Sequence, residues 1–187
     1  MVKHFKLTNE TKVNFWGVTL YRIECTLDFK WAKSGDKGGW VEKENNIFGD
    51  AWVFGNAEVF GDAWVFGDAR VSGDAEVFGN ARVSGDAEVS GDARVFGNAR
   101  VFGNARVSGD AEVSGNADYC CFQSFGSVNR TTTVFKQKDG SLRIRCGCFG
   151  GTIQEFAEAV DKTHGDSKFG KEYRAMIELI KIRFGIE

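Results

Sequence analysis

A repeat of six residues runs without interruption through the middle of this chain. Starting at Gly49, twelve consecutive units read Gly, Asp or Asn, Ala, a variable residue, Val, and Phe or Ser, with departures only in the last unit. A period of six is a multiple of the two-residue period of a β-strand and does not fit a helix. Ala and Val lie two positions apart and therefore point the same way, so we predict that both face an interior.

The Gly-Asp and Gly-Asn steps between units predict corners. Glycine accepts any backbone conformation, and Asp and Asn tolerate the left-handed region and bond to nearby amides. Three such units close a coil of 18 residues, and coils stack by pairing their backbones. A disordered glycine-rich tract is the alternative, and the Val in every unit argues against it. Because Val41 and Ile47 keep the phase of the later valines, we predict a parallel β-helix over residues 41–119.

The pattern Val-x-Gly-Asp-Ala resembles the hexapeptide-repeat family. The resemblance implies a left-handed coil and a trimer, and it raises the possibility of an acyl-CoA-dependent acyltransferase. Those enzymes need a general base, usually a histidine on a loop that interrupts the coil. This coil has neither, since the two histidines are His4 and His164. The γ-class carbonic anhydrases of the same fold bind zinc through three histidines, more than this chain contains.

Both flanks of the repeat are predicted to form small domains. Residues 1–40 read as a β cap, with a strand whose buried side is formed by alternate residues: Ile23, Cys25, Leu27 and Phe29. In residues 120–187, Asp139-Gly140 indicates a hairpin, and helices are predicted from Thr152 to about Lys162 and from about Ser167 to Phe184. The fold class is therefore mainly β: a β cap, a β-helix, and a C-terminal hairpin with two helices.

Outward residues of an 18-residue coil fall into columns. The three columns of variable residues are Trp52, Arg70, Glu88 and Arg106; Glu58, Glu76, Arg94 and Glu112; and Trp64, Arg82 and Arg100. We expect alternating charges to pair and Arg82 to lie over the Trp64 ring. Phe60, Phe78 and Phe96 form another column, predicted to be an exposed ridge that makes a homo-oligomer interface. Packing of this ridge against the C-terminal segment is the alternative.

The charge balance and the cysteines bear on partners and location. The chain has 24 Lys and Arg against 26 Asp and Glu, which is not the charge of a nucleic-acid-binding protein. It shows no membrane span and no signal peptide, so a cytoplasmic protein with reduced cysteines is the simplest interpretation. A zinc site is the alternative for four of the cysteines: Cys120, Cys121, Cys146 and Cys148. We predict no metal and no cofactor.

The order of segments also resembles proteins of bacteriophages and prophages. The resemblance rests on six stretches: residues 7–11, 19–23, 38–42, 145–149, 151–152 and 163–166. It implies a phage origin, and hence a place in the host cytosol, and it implies no particular activity.

A ligand site is predicted in the C-terminal domain, where the chain enters the hairpin. Hydroxyls, an amide, a guanidinium and an imidazole suit an anion, as do free amides at a helix start. The candidate residues are Ser127, Asn129, Arg130, Thr131, Thr133, Thr152 and His164. Alternate threonines point to opposite faces of a strand, and an ordinary threonine-rich strand behind a polar loop is the alternative.

Together these features predict a non-enzymatic binding protein on an oligomeric β-helix scaffold, with no catalytic residue assigned. We expect it to counteract host defence by binding a defence protein or by sequestering an anionic nucleotide signal. An acyltransferase that uses acyl-CoA is the alternative, and turnover of acetyl-CoA distinguishes the two.

Overall fold

The computed structural model describes residues 3–186 and divides the chain into two compact units, Met1–Asp118 (unit 1) and Tyr119–Glu187 (unit 2). Unit 1 contains a parallel β-solenoid, and unit 2 contains an antiparallel sheet and two helices. The predicted mainly β fold class is confirmed. The hand of the coil and the division of unit 1 into a cap and a coil stay predictions.

Unit 1 begins with three strands, β1 (Phe5–Val13), β2 (Thr19–Cys25) and β3 (Lys37–Val41). They pair antiparallel in sequence order, and β3 then pairs in parallel with the solenoid through Val41 and Val59. The strand predicted to continue to Phe29 ends at Cys25, and Leu27 is exposed. The chain turns there because the Asp28 carboxylate accepts a hydrogen bond from the Ser34 amide at 2.8 Å.

The solenoid is built from short strands of two or three residues. They are β4 (Trp52–Val53), β5 (Glu58–Val59), β6 (Trp64–Val65), β7 (Arg70–Val71), β8 (Glu76–Val77), β9 (Arg82–Val83), β10 (Glu88–Ser90), β11 (Arg94–Val95), β12 (Arg100–Val101), β13 (Arg106–Ser108) and β14 (Glu112–Val113). Three parallel sheets result, in the orders β4-β7-β10-β13, β3-β5-β8-β11-β14 and β6-β9-β12. Paired residues such as Arg70 and Glu88 are 18 positions apart, which confirms the predicted coil.

The interior of the solenoid contains the Ala and the Val of each unit. From Ala51 to Val113 these side chains are at most 1 % exposed. The corner glycines from Gly49 to Gly109 have φ between 58° and 74°, the left-handed region that glycine enters most easily. A Cβ at Gly73 would lie 2.9 Å from the Gly91 nitrogen of the next coil. Glycine is therefore required at the corner both by the backbone angle and by the stacking distance.

The outward columns define three faces of the solenoid. Face 1 carries Trp52, Arg70, Glu88 and Arg106; face 2 carries Glu58, Glu76, Arg94 and Glu112; and face 3 carries Trp64, Arg82 and Arg100. On face 1, Glu88 pairs with both Arg70 and Arg106. On face 2, Arg94 pairs with Glu76 at 3.3 Å. The Arg82 guanidinium lies 5.1 Å from the Trp64 ring centroid, so the expected pairings are confirmed.

Unit 2 is a four-stranded antiparallel sheet against two helices. Its elements are β15 (Tyr119–Phe125), β16 (Arg130–Lys136), β17 (Leu142–Cys146), β18 (Phe149–Gly151), α1 (Ile153–His164) and α2 (Lys168–Phe184). The hairpin of β16 and β17 and both helices are confirmed, and β15 and β18 extend the hairpin into a sheet. Val134, Ile144 and Cys146 pack with the buried residues of the helices in one core.

No helix within residues 3–186 combines the length and the apolar character that crossing a membrane requires.

Candidate functional site

Unit 2 contains a cavity of about 240 Å³ beside its helices and one end of its sheet. Its walls combine aromatic and aliphatic groups with a few polar ones. The lining residues are Arg130, Cys146, Cys148, Phe149, Phe156, Ala159, Val160, Thr163, His164 and Tyr173. A small apolar cavity with a few convergent polar groups is the usual form of a small-molecule site.

Arg130 is the first residue of β16 and the only Arg or Lys among the lining residues. Strand alternation places Arg130 on the same face as Thr132 and Val134, the face toward the helices. Its guanidinium crosses Gly147, where any side chain would collide with it. Arg130 is exposed and forms no ion pair within residues 3–186. The cavity therefore has a permanent positive charge that forms no ion pair within residues 3–186.

Tyr173 of α2 brings a hydroxyl into the cavity. Burial raises the pKa of its phenol to about 12, and the Cys146 thiol, 3.9 Å from the Tyr173 oxygen, acts in the same direction. The phenol therefore stays neutral and able to donate a hydrogen bond at physiological pH. Its ring lies against Gly126, whose amide donates to the Glu172 carboxylate at 2.9 Å.

His164 is the last residue of α1, and it also lines the cavity. Its ring stacks on Tyr173 with centroids 5.4 Å apart and an interplanar angle of 27°. Arg130 and His164 are far apart in the sequence, and the fold brings both to one cavity. Both of these predicted site residues therefore line the same cavity, as the prediction of a shared site requires.

The other five candidate residues are not among those that line the cavity. Ser127 and Asn129 are exposed in the turn between β15 and β16. Thr131 and Thr133 lie on the face of β16 opposite to Arg130, because side chains alternate along a strand. Thr133 is also buried, at 1 % exposure.

The polar groups of Thr152 already form hydrogen bonds at the start of α1. Its hydroxyl accepts a hydrogen bond from the Glu155 amide at 3.2 Å, and its own amide donates to the Glu155 carboxylate at 2.8 Å. A carboxylate of the chain itself thus holds the helix start where an anion was expected. An anion at this helix start would have to displace the Glu155 carboxylate, so the contribution of Thr152 and the helix amides to an anion site stays a prediction.

Sequence reasoning missed most of the cavity wall. In the sequence, Tyr173 falls on one stripe of α2 with Phe169, Ile177 and Ile180, and such a stripe indicates core packing rather than a binding site. Phe149 and Phe156 carry no polar signal, although their rings lie 5.2 Å apart in the wall. Such residues become part of a site only when sheet and helices are packed together.

The predicted aromatic ridge is less exposed than expected. Phe78 stacks on Phe60 and on Phe96, with ring centroids 5.0 Å apart in each pair. Phe60 is buried at 4 % exposure, and Phe78 and Phe96 are half-buried. Trp16, in the turn between β1 and β2, packs on Phe78 at 5.5 Å, so an N-terminal residue covers part of the column. The proposed interface role of the column stays a prediction.

All five cysteines and both histidines lie within residues 3–186. In that part of the chain, no group of three or more His, Cys, Asp or Glu side chains is arranged to hold a metal ion. All five cysteines are free, with Cys25 and Cys146 buried and Cys148 exposed.

A second cavity, of about 300 Å³, lies in unit 1. It is lined by Lys3, His4, Phe5, Ile47, Phe48, Gly49 and Asp50. The His4 side chain is buried, contacts the Ala51 carbonyl oxygen at 3.2 Å and packs on Phe29 at 4.1 Å. Burial lowers the pKa of this imidazole. This cavity could not be predicted from sequence, because its residues come from segments on either side of β2 and β3.

Comparison with curated proteins finds no match. Two overlapping stretches of the solenoid, residues 93–109 and 99–115, match a family model described as the YdcK beta solenoid repeat. The matched stretches span β11 to β14, where strands are stacked 18 residues apart. Repeat pattern, coil geometry and family model therefore agree that unit 1 carries a β-solenoid repeat.

Proposed function

We propose that this chain is a non-enzymatic binding protein whose unit 2 takes a small anionic ligand into the cavity beside Arg130. The observation that carries the proposal is the guanidinium of Arg130, which reaches the cavity without an ion-pair partner in residues 3–186. A phosphate or carboxylate would accept two parallel hydrogen bonds from this group. The Tyr173 and Thr163 hydroxyls supply further donors around the same space.

The size and walls of the cavity limit the ligand. Its volume of about 240 Å³ is below the usual range of small-molecule sites, roughly 300–1,000 Å³. The cavity therefore suits one ring with an anionic group, or the corresponding part of a larger molecule. The Phe149 and Phe156 rings offer apolar surface for such a ring, and Arg130 binds the charge. A nucleotide has both parts.

The biological setting follows from the sequence resemblances. For a phage protein in the host cytosol, a nucleotide site of this kind would sequester a defence signal. Direct binding of a host defence protein is the other way in which the protein would counteract host defence. Membership of the hexapeptide-repeat family, a left-handed coil and a trimeric assembly are part of the same proposal.

Calorimetry with inorganic phosphate, a nucleoside monophosphate and a cyclic dinucleotide tests the ligand site. We expect wild type to bind at least one nucleotide, and Arg130→Ala to weaken that binding about tenfold or more, because a charge-assisted hydrogen bond is lost. Arg143→Ala is the matched control. It removes the same group from β17 on the face opposite to the helices, and it should bind as wild type does.

Three results would contradict the proposal. One is a wild type that binds none of these anions, and another is equal weakening by Arg130→Ala and Arg143→Ala in folded proteins. The third is turnover of acetyl-CoA by the wild type, which would establish the acyltransferase instead. Thermal melting of each variant shows that it is folded before its binding is compared.

A further inference from the structure

Face 3 differs from the other two faces of the solenoid in its charges. On face 1, Glu88 lies in register between two arginines, and on face 2 Arg94 lies between two glutamates. On face 3, Arg82 and Arg100 are direct neighbours in adjacent parallel strands, and the strands of this sheet carry no acidic residue. Asp118, 18 positions after Arg100, lies outside this sheet, and its carboxylate accepts hydrogen bonds from the Ser114 and Gly115 amides. Within residues 3–186 neither arginine forms an ion pair.

The corner residues that directly precede the two arginines of face 3 carry no carboxylate. On face 2, the residues two positions before Glu76, Arg94 and Glu112 are Asp74, Asp92 and Asp110, although Asn56 precedes Glu58. At the corresponding corner before Arg82 and Arg100, the residues are Asn80 and Asn98. Asn serves the turn as well as Asp does, because both bond to nearby backbone amides. Asn at these two corners is therefore compatible with the fold, and it places no carboxylate at the corner that precedes either arginine.

The N-terminal segment of unit 1 contacts the first two faces. Trp31 lies over the Arg70 guanidinium of face 1 at 4.3 Å, and Lys12 pairs with Glu58 of face 2 at 2.7 Å. On face 3, Phe48 packs on Trp64 with ring centroids 5.7 Å apart, and Trp64 still keeps 44 % of its surface exposed. Arg82 and Arg100 are exposed. Phe102, which follows β12 at the next corner, is 51 % exposed.

Two stacked like charges destabilise a sheet unless an opposite charge lies beside them. The stacked Glu58 and Glu76 of face 2 pair with Lys12 and Arg94, respectively. The stacked Arg82 and Arg100 have no ion-pair partner within residues 3–186, although a glutamate at either position would remove the repulsion. Glutamate occupies such positions on both other faces. Keeping two arginines between an exposed Trp64 and an exposed Phe102 therefore needs a reason outside the fold. Such a surface combines a positive centre with aromatic contact area, the combination that is enriched where proteins recognise a partner.

We propose that face 3 is a docking surface for an acidic segment of a partner protein, whose carboxylates pair with Arg82 and Arg100. The partner is acidic because the arginines have no counter-charge of their own. It is a protein segment rather than a nucleic acid because unit 1 carries eighteen Asp and Glu against thirteen Lys and Arg. That net charge repels a long polyanion, whereas a short segment with a few carboxylates meets only the local positive centre. This surface is separate from the cavity of unit 2 and does not depend on the function proposed for it.

Fluorescence anisotropy of the full chain tests the surface with two probes. One is a labelled peptide in which glutamates alternate with leucine and phenylalanine, and the other is a labelled oligothymidylate of the same net charge. We expect the peptide to bind, with an affinity that falls as salt is added. The double variant Arg82→Gln, Arg100→Gln should weaken peptide binding about tenfold, because two charge pairs are lost.

The matched control is the double variant Arg94→Gln, Arg106→Gln, which removes two solenoid arginines that already pair with glutamates. Peptide binding by this control should stay within about twofold of wild type. Three outcomes overturn the proposal: wild type that does not bind the peptide, equal weakening by the two double variants, or tighter Arg82- and Arg100-dependent binding of the oligothymidylate. The last outcome would make face 3 a single-strand surface instead.

Discussion

Adjacent residues of β9 experience opposite environments. Val83 is fully buried in the solenoid interior, and Arg82 is exposed on face 3. Val83→Asp should destabilise the protein by several kcal/mol, because it places an unpaired charge in the apolar interior. Arg82→Asp introduces the same residue one position away and should change stability by less than about 1 kcal/mol. Equal shifts in the denaturant midpoint of the two variants would contradict the assignment of inward and outward positions.

Acid stability should depend on His4. Burial lowers the pKa of this imidazole below its ordinary value of 6.5, so the folded state holds the proton less well than the unfolded state does. The stabilisation by neutral His4 is complete above pH 6.5 and is lost as the pH falls through the folded-state pKa. On acidification, Tm should therefore fall more in wild type than in His4→Gln, which retains a donor for the Ala51 carbonyl. Parallel pH profiles for the two proteins would rule out His4 as the cause.

The candidate site shows how far single residues can be assigned from sequence. Arg130 and His164 were chosen for their chemistry, and both line the cavity. Thr131 and Thr133 were predicted for their hydroxyl groups, but strand alternation places both on the face of β16 opposite to Arg130. The alternation of side chains could be predicted from sequence, but the face of the sheet that the helices cover could not. That face is determined by the packing of Val134 and Ile144 against the helices.

At the scale of elements, the repeat was far easier to predict than its flanks. Each solenoid strand has only two or three residues, yet twelve copies of one pattern fix its phase. Strand β1 was missed because buried and exposed positions do not alternate along Phe5–Val13, whose pairing with β2 shifts register between Leu7 and Thr11. A register shift breaks the two-residue period on which the prediction relied.

Two corner glycines of the solenoid allow two effects of an added side chain to be measured separately: backbone strain and collision with the next coil. Gly91 and Gly109 have φ of 73° and 69°, so alanine at either position is forced into the left-handed region. A Cβ at Gly91 would also lie 2.9 Å from the Gly109 nitrogen, whereas a Cβ at Gly109 would meet nothing within 4 Å. Gly109→Ala should cost about 1–2 kcal/mol, and Gly91→Ala should cost more. Chemical denaturation measures the difference, and a larger loss for Gly109→Ala would contradict the stacking geometry.

At the scale of the molecule, the N-terminal segment distinguishes the three faces of a nearly uniform coil. The repeat alone makes the faces equivalent, but Trp31 and Lys12 contact faces 1 and 2. The turn between β1 and β2 adds Trp16 over the Phe78 column. Function in a repeat protein of this kind is therefore expected where the repeat is varied or left uncovered, and the invariant Ala and Val positions serve stability alone.

The same turn supplies the largest apolar exposure near the phenylalanine column. Val13, Phe15 and Trp16 are 68 %, 90 % and 51 % exposed, and Trp16 lies against both Phe15 and Phe78. A contiguous exposed apolar patch of this kind is typical of a contact surface. We predict that these residues join Phe78 in a homo-oligomer interface, with a mass by light scattering of three times the 20.6 kDa chain.

The double variant Phe15→Ser, Trp16→Ser should reduce the mass to that of one chain without unfolding the solenoid, because neither residue belongs to its interior. Leu179→Ser, Ile182→Ser is the matched control, since it removes two exposed apolar side chains from α2, and it should keep the wild-type mass. A monomeric wild type would refute the interface outright. If the first variant keeps the oligomer and the control loses it, the interface lies on α2 instead. The exposed apolar side chains of α2 then make the contact between chains, and the turn between β1 and β2 serves only to cover the Phe78 column.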